Sequence, residues 1–343
     1  MAIRIALDAM GGDHAPLAEV LGAVEAHRRF GVETVLVGDE PRLKAQLEKA
    51  KAPGLLPIVH AEEVVAMDDP PMTPIRKKRR SSLRVAADLV RAGEAHALVS
   101  AGNTGAAMAT AKLVVGGIEA VERPALATWL PHRRGASLLL DVGANSDCKP
   151  AHLLQFAVMG SIFASQMLRI EEPRIALLSI GEEDAKGNDL TKEAFKLLQQ
   201  SGLKFVGNVE GHDLFEGAAD VVVTDGFTGN VVLKTGESVY EYIGSILREG
   251  FRSTWRARLG YLLSRPVFDQ LKSRLDYAEY GGALLVGVKA VTIICHGRSK
   301  PKAIMNAVRL ARDFCAAGLS EKIGEQIRSR VKEIPNGKHT VAN

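Results

Sequence analysis

The chain predicts an α/β fold: a largely parallel sheet with helices on both faces and one helical hairpin projecting from it. Three observations carry this expectation. Short β-branched or aliphatic runs alternate with longer segments of helical period. Runs such as "VVVT" and "LLLD" are apolar without a break, the pattern of strands buried on both faces. Four elbows of Gly-Asn or Gly-Ala-Asn type end strands or open helices: "SAGNTGA" (100–106), "DVGANSD" (141–147), "AKGNDLT" (185–191) and "DGFTGNVV" (225–232).

In chain order, strands are expected at Ile3–Leu7, Thr34–Val37, Leu56–His60, Ala97–Ser100, Leu126–Leu130, Ser137–Leu140, Arg174–Ser179, Lys204–Gly207, Val221–Thr224 and Thr292–Cys295. Among the helices, Asp39 reads as an N-cap with Pro41 in the first turn of "RLKAQLEKA". "SSLRVAADLVRAG" carries Leu and Val at helical spacing and stops at Gly93. From about Gly229 to Arg274 the pattern is helical throughout, too long for an ordinary crossover. Pro266 is expected to end one helix there and start another. Residues 229–274 are therefore expected to form the hairpin, and 1–228 with 275–335 a single α/β body. The tail 336–343 is expected to fray.

The 343 residues are 46% hydrophobic, enough for a large core. A net charge of +4 is close to balance, so no nucleic-acid partner is expected. Cys148, Cys295 and Cys315 have no C-x-x-C spacing, which fits a reducing cytosol and argues against a structural metal site. "MAIRIALDAMGG" enters a strand at once, with no signal-peptide pattern, and no apolar stretch approaches the roughly 20 residues of a membrane span.

Ligands of parallel α/β folds bind outside the carboxyl ends of the strands. The elbows follow strands ending at Ser100, Asp141, Ser179 and Thr224, so all four are expected on one rim. Glycine lets the backbone approach a ligand closely, and helix starts aim N–H groups at the same space. Asparagine donates two hydrogen bonds without adding charge. A ring of such donors suits phosphate or an oxyanion, although Asn and Gly also serve as plain caps and turn residues. The donors are Asn103, Asn145, Asn188 and Asn230, joined by Lys186 and by Lys234, one helical turn after Asn230. A lysine near a helix start opposes the dipole, which singles out these two. Gly102, Thr104, Gly143 and Gly229 belong to the same elbows. Asp8 and Asp225 close strands, where a cap or brace is the plainer reading. His296 in "ICHGRSK" ends the last strand, with a structural role equally open.

No G-x-G-x-x-G follows a strand, and "GGALLVGVK" grazes the P-loop spacing with Val288 in place of Lys. Neither G-x-S-x-G nor H-E-x-x-H occurs. With no protein nucleophile in evidence, an enzyme of this kind would hold two substrates and let one attack the other.

Together "ALDAMGGDHAP", "SAGNTGA", "RPALA", "LLDVGAN…CKP", "SIGEE…KGN", "TDGFTGNVVLK" and "YGGALLVGVK…HG" resemble the bacterial phosphate acyltransferases of phospholipid synthesis, in order from Ile3 to about Ala317. The resemblance implies a Rossmann-like three-layer α/β/α body, akin to phosphate acetyltransferases and isopropylmalate dehydrogenases. It implies a homodimer that transfers an acyl group from acyl-[acyl carrier protein] to inorganic phosphate, without a cofactor. It also implies peripheral association with the inner face of the cell membrane, where a membrane acylphosphate:glycerol-3-phosphate acyltransferase takes the product. On this reading Lys186, Asn188 and Asn230 hold phosphate and transition-state charge, Asn103 and Asn145 are further donors, and Lys234 and His296 assist.

Two basic segments fit the resemblance. "IRKKRRSSLR" (75–84) places six cations in ten residues, either a solvated helix start or a site for an acidic carrier protein. Residues 248–274 hold seven basic side chains against two acidic ones. Phe251, Trp255, Leu259, Leu262, Leu263, Val267 and Leu271 recur there at spacings of three and four. Arg248, Arg252, Trp255, Arg256, Leu259, Leu262 and Arg265 are accordingly expected to touch an anionic membrane or carrier protein, unless the stripe packs in a dimer's helix bundle. Three alternatives stay open: an acetyl- or acyl-CoA:phosphate acyltransferase, an NAD-dependent dehydrogenase of isopropylmalate type, and a non-catalytic membrane scaffold.

Overall fold

The computed structural model describes residues 2–275 and 281–333, so the expected tail lies outside the described residues. Among these, eleven strands share one sheet: β1 (Arg4–Asp8), β2 (Glu33–Gly38), β3 (Ile58–His60), β4 (Ala97–Ser100), β5 (Ala125–His132), β6 (Gly135–Leu140), β7 (Ile175–Leu178), β8 (Phe205–Val209), β9 (Val221–Val223), β10 (Ala283–Val286) and β11 (Val291–Ile294). Their order is β3-β2-β1-β4-β11-β10-β5-β6-β9-β7-β8. Helices cover both faces. On one, α1 (Leu17–Phe30), α2 (Glu40–Lys49), α6 (Pro150–Leu168), α7 (Asp189–Gln199), α10 (Pro301–Ala316) and α11 (Leu319–Glu333) bury residues such as Val24, Leu43, Phe156, Phe195, Ile304 and Ile323. On the other, α3 (Thr73–Arg76), α4 (Ser82–Arg91), α5 (Thr104–Thr110) and α8 (Gly226–Ser253) pack Ile75, Leu83, Ala106, Val232 and Leu233. This is the expected α/β class with a mainly parallel sheet. The inner strands show one face to each core, which is why runs such as Ile175–Leu178 and Val221–Val223 are apolar throughout.

Two local signals read as expected. Asp39 caps α2, its Oδ1 accepting from Arg42 N at 3.0 Å, and α4 stops just before Gly93, which takes φ 77°. The strand β10 was not expected; it occupies the segment that grazes the P-loop spacing.

The larger difference is direction. Strands β1, β2, β3, β4 and β11 run parallel to one another, as do β6, β9, β7 and β8. Between the sets, β11–β10, β10–β5 and β5–β6 are all antiparallel, an odd number of reversals. The two parallel sets therefore point opposite ways. The carboxyl ends of β1, β4 and β11 leave one edge of the sheet, and those of β6, β9 and β7 leave the other. The elbow after Ser100 does not share a rim with the other three.

The helical hairpin consists of α8 and α9 (Trp255–Leu275). It turns at Thr254, not at Pro266. Thr254 is extended (φ −137°, ψ 160°), and its Oγ1 accepts from Ala257 N at 3.1 Å, a side-chain cap for α9. Pro266 lies inside α9. The carbonyl that it leaves without an N–H belongs to Leu262, an exposed residue that water can satisfy. Phe251 on α8 joins Tyr261 and Phe268 on α9, with ring centroids 4.9–5.5 Å apart, which ties the helices together. No helix among the described residues is long and apolar enough to cross a membrane.

Candidate active site

Three neighbouring loops leave the edge of the sheet where β6, β9 and β7 end. The first, after β6, is organised by Asp141, which is buried. Its Oδ1 accepts from the backbone N–H groups of Leu126, Gly143 and Ala144 at 3.0–3.2 Å. Its Oδ2 accepts from Asn145 N at 2.7 Å and Asn145 Nδ2 at 2.8 Å. Burial pushes the Asp141 carboxyl up, and these donors pull it down. With so many N–H groups converging on it, the carboxylate fixes the loop and has no capacity left for a substrate.

The second loop is the start of α8. Asp225 is its N-cap, accepting from Thr228 N at 2.9 Å and Thr228 Oγ1 at 2.8 Å. Gly226 N donates to Asn145 O at 2.8 Å, which joins the first two loops. Gly229 lies against the Asp141 carbonyl, where a Cβ would overlap the oxygen. This contact sets the next residue. Asn230 is exposed, with its Oδ1 3.5 Å from where a Cβ on Gly143 would stand, and its amide has no hydrogen-bond partner among the described residues. Lys234 follows one turn later, but its Nζ is paired with Glu237 at 2.8 Å.

The third loop runs from β7 to α7. Asn188 caps α7 through Oδ1, which accepts from Thr191 N at 2.9 Å, leaving its Nδ2 without a partner among the described residues. Gly187 takes φ 104°, open to glycine, with Ser179 Oγ 2.9 Å from its would-be Cβ. The Lys186 stem folds over Gly181, Cγ lying 2.9 Å from the would-be Cβ there. Lys186 is exposed, and no carboxylate among the described residues stands within ion-pair distance of its ammonium. Sequence reasoning missed Ser179: its hydroxyl is buried beneath this loop with no partner among the described residues. Its place as the last expected residue of a strand, before "IGEE", was the available signal.

The remaining expected residues are elsewhere or engaged. Asp8 closes β1, and Gly102, Asn103, Thr104 and His296 follow β4 and β11, all at the opposite edge. No hydrogen bond or ion pair among the described residues links them to the three loops. Asp8 is 1% exposed and accepts from Ser100 Oγ at 2.7 Å and Met10 N at 3.3 Å, so it braces its own loop. Asn103 Oδ1 caps α5 through Ala106 N, and its Nδ2 donates to the carbonyls of Ala66, Met67 and Asp69 at 2.8–3.3 Å. Asn145 spends Nδ2 on Pro124 O and Asp141 Oδ2, both at 2.8 Å. Neither asparagine has an amide hydrogen left for an anion, which corrects their expected role as donors. His296 Nδ1 accepts from Arg298 N at 3.1 Å, which braces the turn.

Of the expected residues, those that stay uncommitted at this edge among the described residues are therefore Lys186, the Asn188 amide nitrogen and the Asn230 amide. Such donors bind an oxyanion. Burial pushes the thiols of Cys148, Cys295 and Cys315 up to about 11, 12 and 12, so none is a thiolate near neutral pH. No cluster suited to a metal ion occurs among the described residues. The hairpin residues Arg248, Arg252, Trp255, Arg256, Leu259, Leu262 and Arg265 are exposed, Trp255 to 70%. The side chains of Asp269, Leu271, Lys272 and Arg274 lie outside the described set.

Sequence and fold comparisons point the same way. The profile of the fatty acid synthesis protein family matches residues 3–322. A phosphate acyltransferase of Syntrophotalea carbinolica is 51% identical over 97% of this chain and 96% of its own. One from Pelotomaculum thermopropionicum is 50% identical over the same shares, and one from Geobacter sulfurreducens 49% identical over 95% of each. In fold, the chain is similar to a phosphotransacetylase from Streptococcus pyogenes (TM-score 0.62, 16% identity, 91% of this chain and 94% of that one). It is also similar to the EutD phosphotransacetylase from Staphylococcus aureus (TM-score 0.58, 15% identity, 92% and 94%). With its profile match spanning nearly the whole chain and full-length relatives near half identity, the protein belongs to the bacterial phosphate acyltransferases of the fatty acid synthesis protein family and is an acyltransferase.

Proposed function

We propose that this acyltransferase moves a fatty acyl group from an acyl-[acyl carrier protein] thioester to inorganic phosphate, releasing acyl phosphate and the free carrier thiol. One observation above all supports this reading: Lys186, Asn188 and Asn230 keep donors uncommitted on neighbouring loops, and no activated thiol accompanies them. Phosphate is already a nucleophile at neutral pH and needs positioning rather than activation. Its oxygen attacks the thioester carbonyl, the carbonyl oxygen becomes an oxyanion, and the C–S bond breaks with departure of the thiolate. Lys186 and Asn188 hold the phosphate, and Asn230 donates to the developing oxyanion. No step requires a metal or cofactor.

In this reading the protein works as a homodimer at the inner face of the cell membrane. The exposed Trp255, Leu259 and Leu262 of α9, with Arg248, Arg252, Arg256 and Arg265, contact anionic lipid or the acidic carrier. The acyl phosphate then passes to a membrane acylphosphate:glycerol-3-phosphate acyltransferase. The deciding experiment incubates hexadecanoyl-carrier protein with phosphate and traps the product with hydroxylamine. A hydroxamate that forms only with phosphate present is expected. Its absence with carrier-bound donor but presence with acetyl-CoA would favour a CoA-dependent enzyme instead.

A further inference from the structure

Ile180 and Phe227 are 79% and 67% exposed, among the most exposed large apolar side chains of the protein. A lone exposed apolar residue needs no explanation. Both lie just past the ends of neighbouring strands, Ile180 after β7 and Phe227 in the first turn of α8 after β9. Leu177 of β7 pairs with Val223 of β9, and the chains carry on from there to Ile180 and Phe227. Each flanks a donor. Ile180 precedes Gly181, over which the Lys186 stem folds, and Phe227 lies one helical turn before Asn230 and Val231 in α8. Val231, 50% exposed, extends the apolar surface along the same helix face. It also lines a shallow, open surface depression with Asn230 and Lys234.

We propose that Ile180, Phe227 and Val231 form a lip that covers the first carbons of the donor's acyl chain. The inference rests on the acyl-transfer reading above. Phosphate and thioester carbonyl must meet within bonding distance, so carbons next to the carbonyl lie within a few bond lengths of Lys186 and Asn230. Water and polar side chains would leave those carbons solvated, whereas these three side chains bury them. Because both faces of the lip stand beside the anion donors, a two-carbon acyl group gains little from it and a long chain gains much. The lip is thus a specificity-determining feature for long acyl donors.

The test compares hexadecanoyl- and acetyl-CoA as donors to phosphate, following thiol release by wild type, Ile180→Ala, Phe227→Ala and the double variant. The ratio of kcat/KM for the long donor over the short one should fall about tenfold for each single variant. The conservative Ile180→Val and Phe227→Leu should largely restore it. An equal loss on both donors would mean that the side chains only brace Lys186 and Asn230, and would overturn the proposal. So would an unchanged ratio, or a variant whose main effect is a change of oligomeric state measured by light scattering. Binding of S-hexadecyl-CoA, a thioether that cannot react, gives a readout independent of turnover. If wild type makes no acyl phosphate from any donor, the transfer reading fails by itself. The lip then stands only if calorimetry shows the thioether binding about tenfold more weakly to the alanine variants, and falls if it does not.

Discussion

Replacing Gly229 by alanine tests whether the first turn of α8 is clamped to the loop after β6. A Cβ there would overlap the Asp141 carbonyl oxygen and stand 2.9 Å from Thr224 Cγ2 and 3.0 Å from the Asp141 carbonyl carbon. Two effects oppose each other. Alanine favours a helix over glycine by about 1 kcal/mol. Overpacking costs about 1–3 kcal/mol, and a clash with fixed backbone puts this site at the top of that range. The net is a loss of about 2 kcal/mol. At about 2.1 cal/mol/K of unfolding entropy per residue, 343 residues give about 0.7 kcal/mol/K, so Tm should drop by about 3 °C. Gly250 is the internal control, since nothing lies within 4 Å of its would-be Cβ. Alanine there keeps the propensity gain without the clash, and Tm should rise by about 1 °C. Scanning calorimetry on both variants gives these shifts, and thiol release gives the functional one. Relieving the clash moves α8 and carries the adjacent Asn230 away from Gly143. A displacement near 1 Å costs on the order of a hundredfold in turnover. A Gly229→Ala protein as stable and active as Gly250→Ala would refute the reasoning.

Three further outcomes follow from the same geometry. Lys186→Ala should lower turnover by about a hundredfold to a thousandfold at unchanged Tm; turnover near wild type removes Lys186 from the site. Asn103→Ala strips the cap of α5 and leaves three carbonyls without their donor, so a loss of about 2 kcal/mol in urea titration is expected with phosphate KM unmoved. A raised phosphate KM at full stability would restore it as a donor. Glu19 is 1% exposed, its Oε2 has no partner among the described residues, and burial pushes its pKa from 4.5 up to about 7. Folded protein thus binds this proton more tightly than unfolded protein. Its contribution is fully present below about pH 4.5 and is lost as pH rises through about 7, by about 3 kcal/mol. Asp8, also raised, acts in the same direction. Glu19→Gln should flatten the decline between about pH 5 and about pH 8. The difference between the two proteins isolates this group from His132 and His152, whose lowered pKa values act in the opposite sense.

Ten of the eleven described strand positions were legible, most clearly where a short run is apolar on both faces, as with Val221–Val223 and Ile175–Leu178. Strand direction was not. It is set by antiparallel pairings on both sides of β5, and β10 hides among glycines in a segment that resembles a loop. Losing that strand loses two of the three reversals, and with them the knowledge that β4 and β6 end at opposite edges. The hairpin was legible as a region, but its turn was not. Proline is a louder signal than Thr254, yet an exposed helix can carry Pro266, and the Thr254 hydroxyl starts α9.

The asparagines show most plainly what a sequence withholds. Asn103 and Asn188 both follow a glycine, both end an elbow, and both accept from the N–H three residues on. One-letter context assigns them the same role. They differ in their second polar atom. A distant loop folds back to bring the carbonyls of Ala66, Met67 and Asp69 against Asn103 Nδ2, whereas Asn188 Nδ2 meets no such carbonyl among the described residues. Asn145 is taken out of service by Asp141 in the same way. A capping amide has one half left over, and tertiary structure decides whether that half is spent on the fold or kept for a ligand. The residues that keep it, Asn188 and Asn230, lie on the loops that end β7 and β9 beside the only unpaired lysine described there. That shared position is what the proposed phosphate site rests on, since the motif alone would have picked Asn103 as readily.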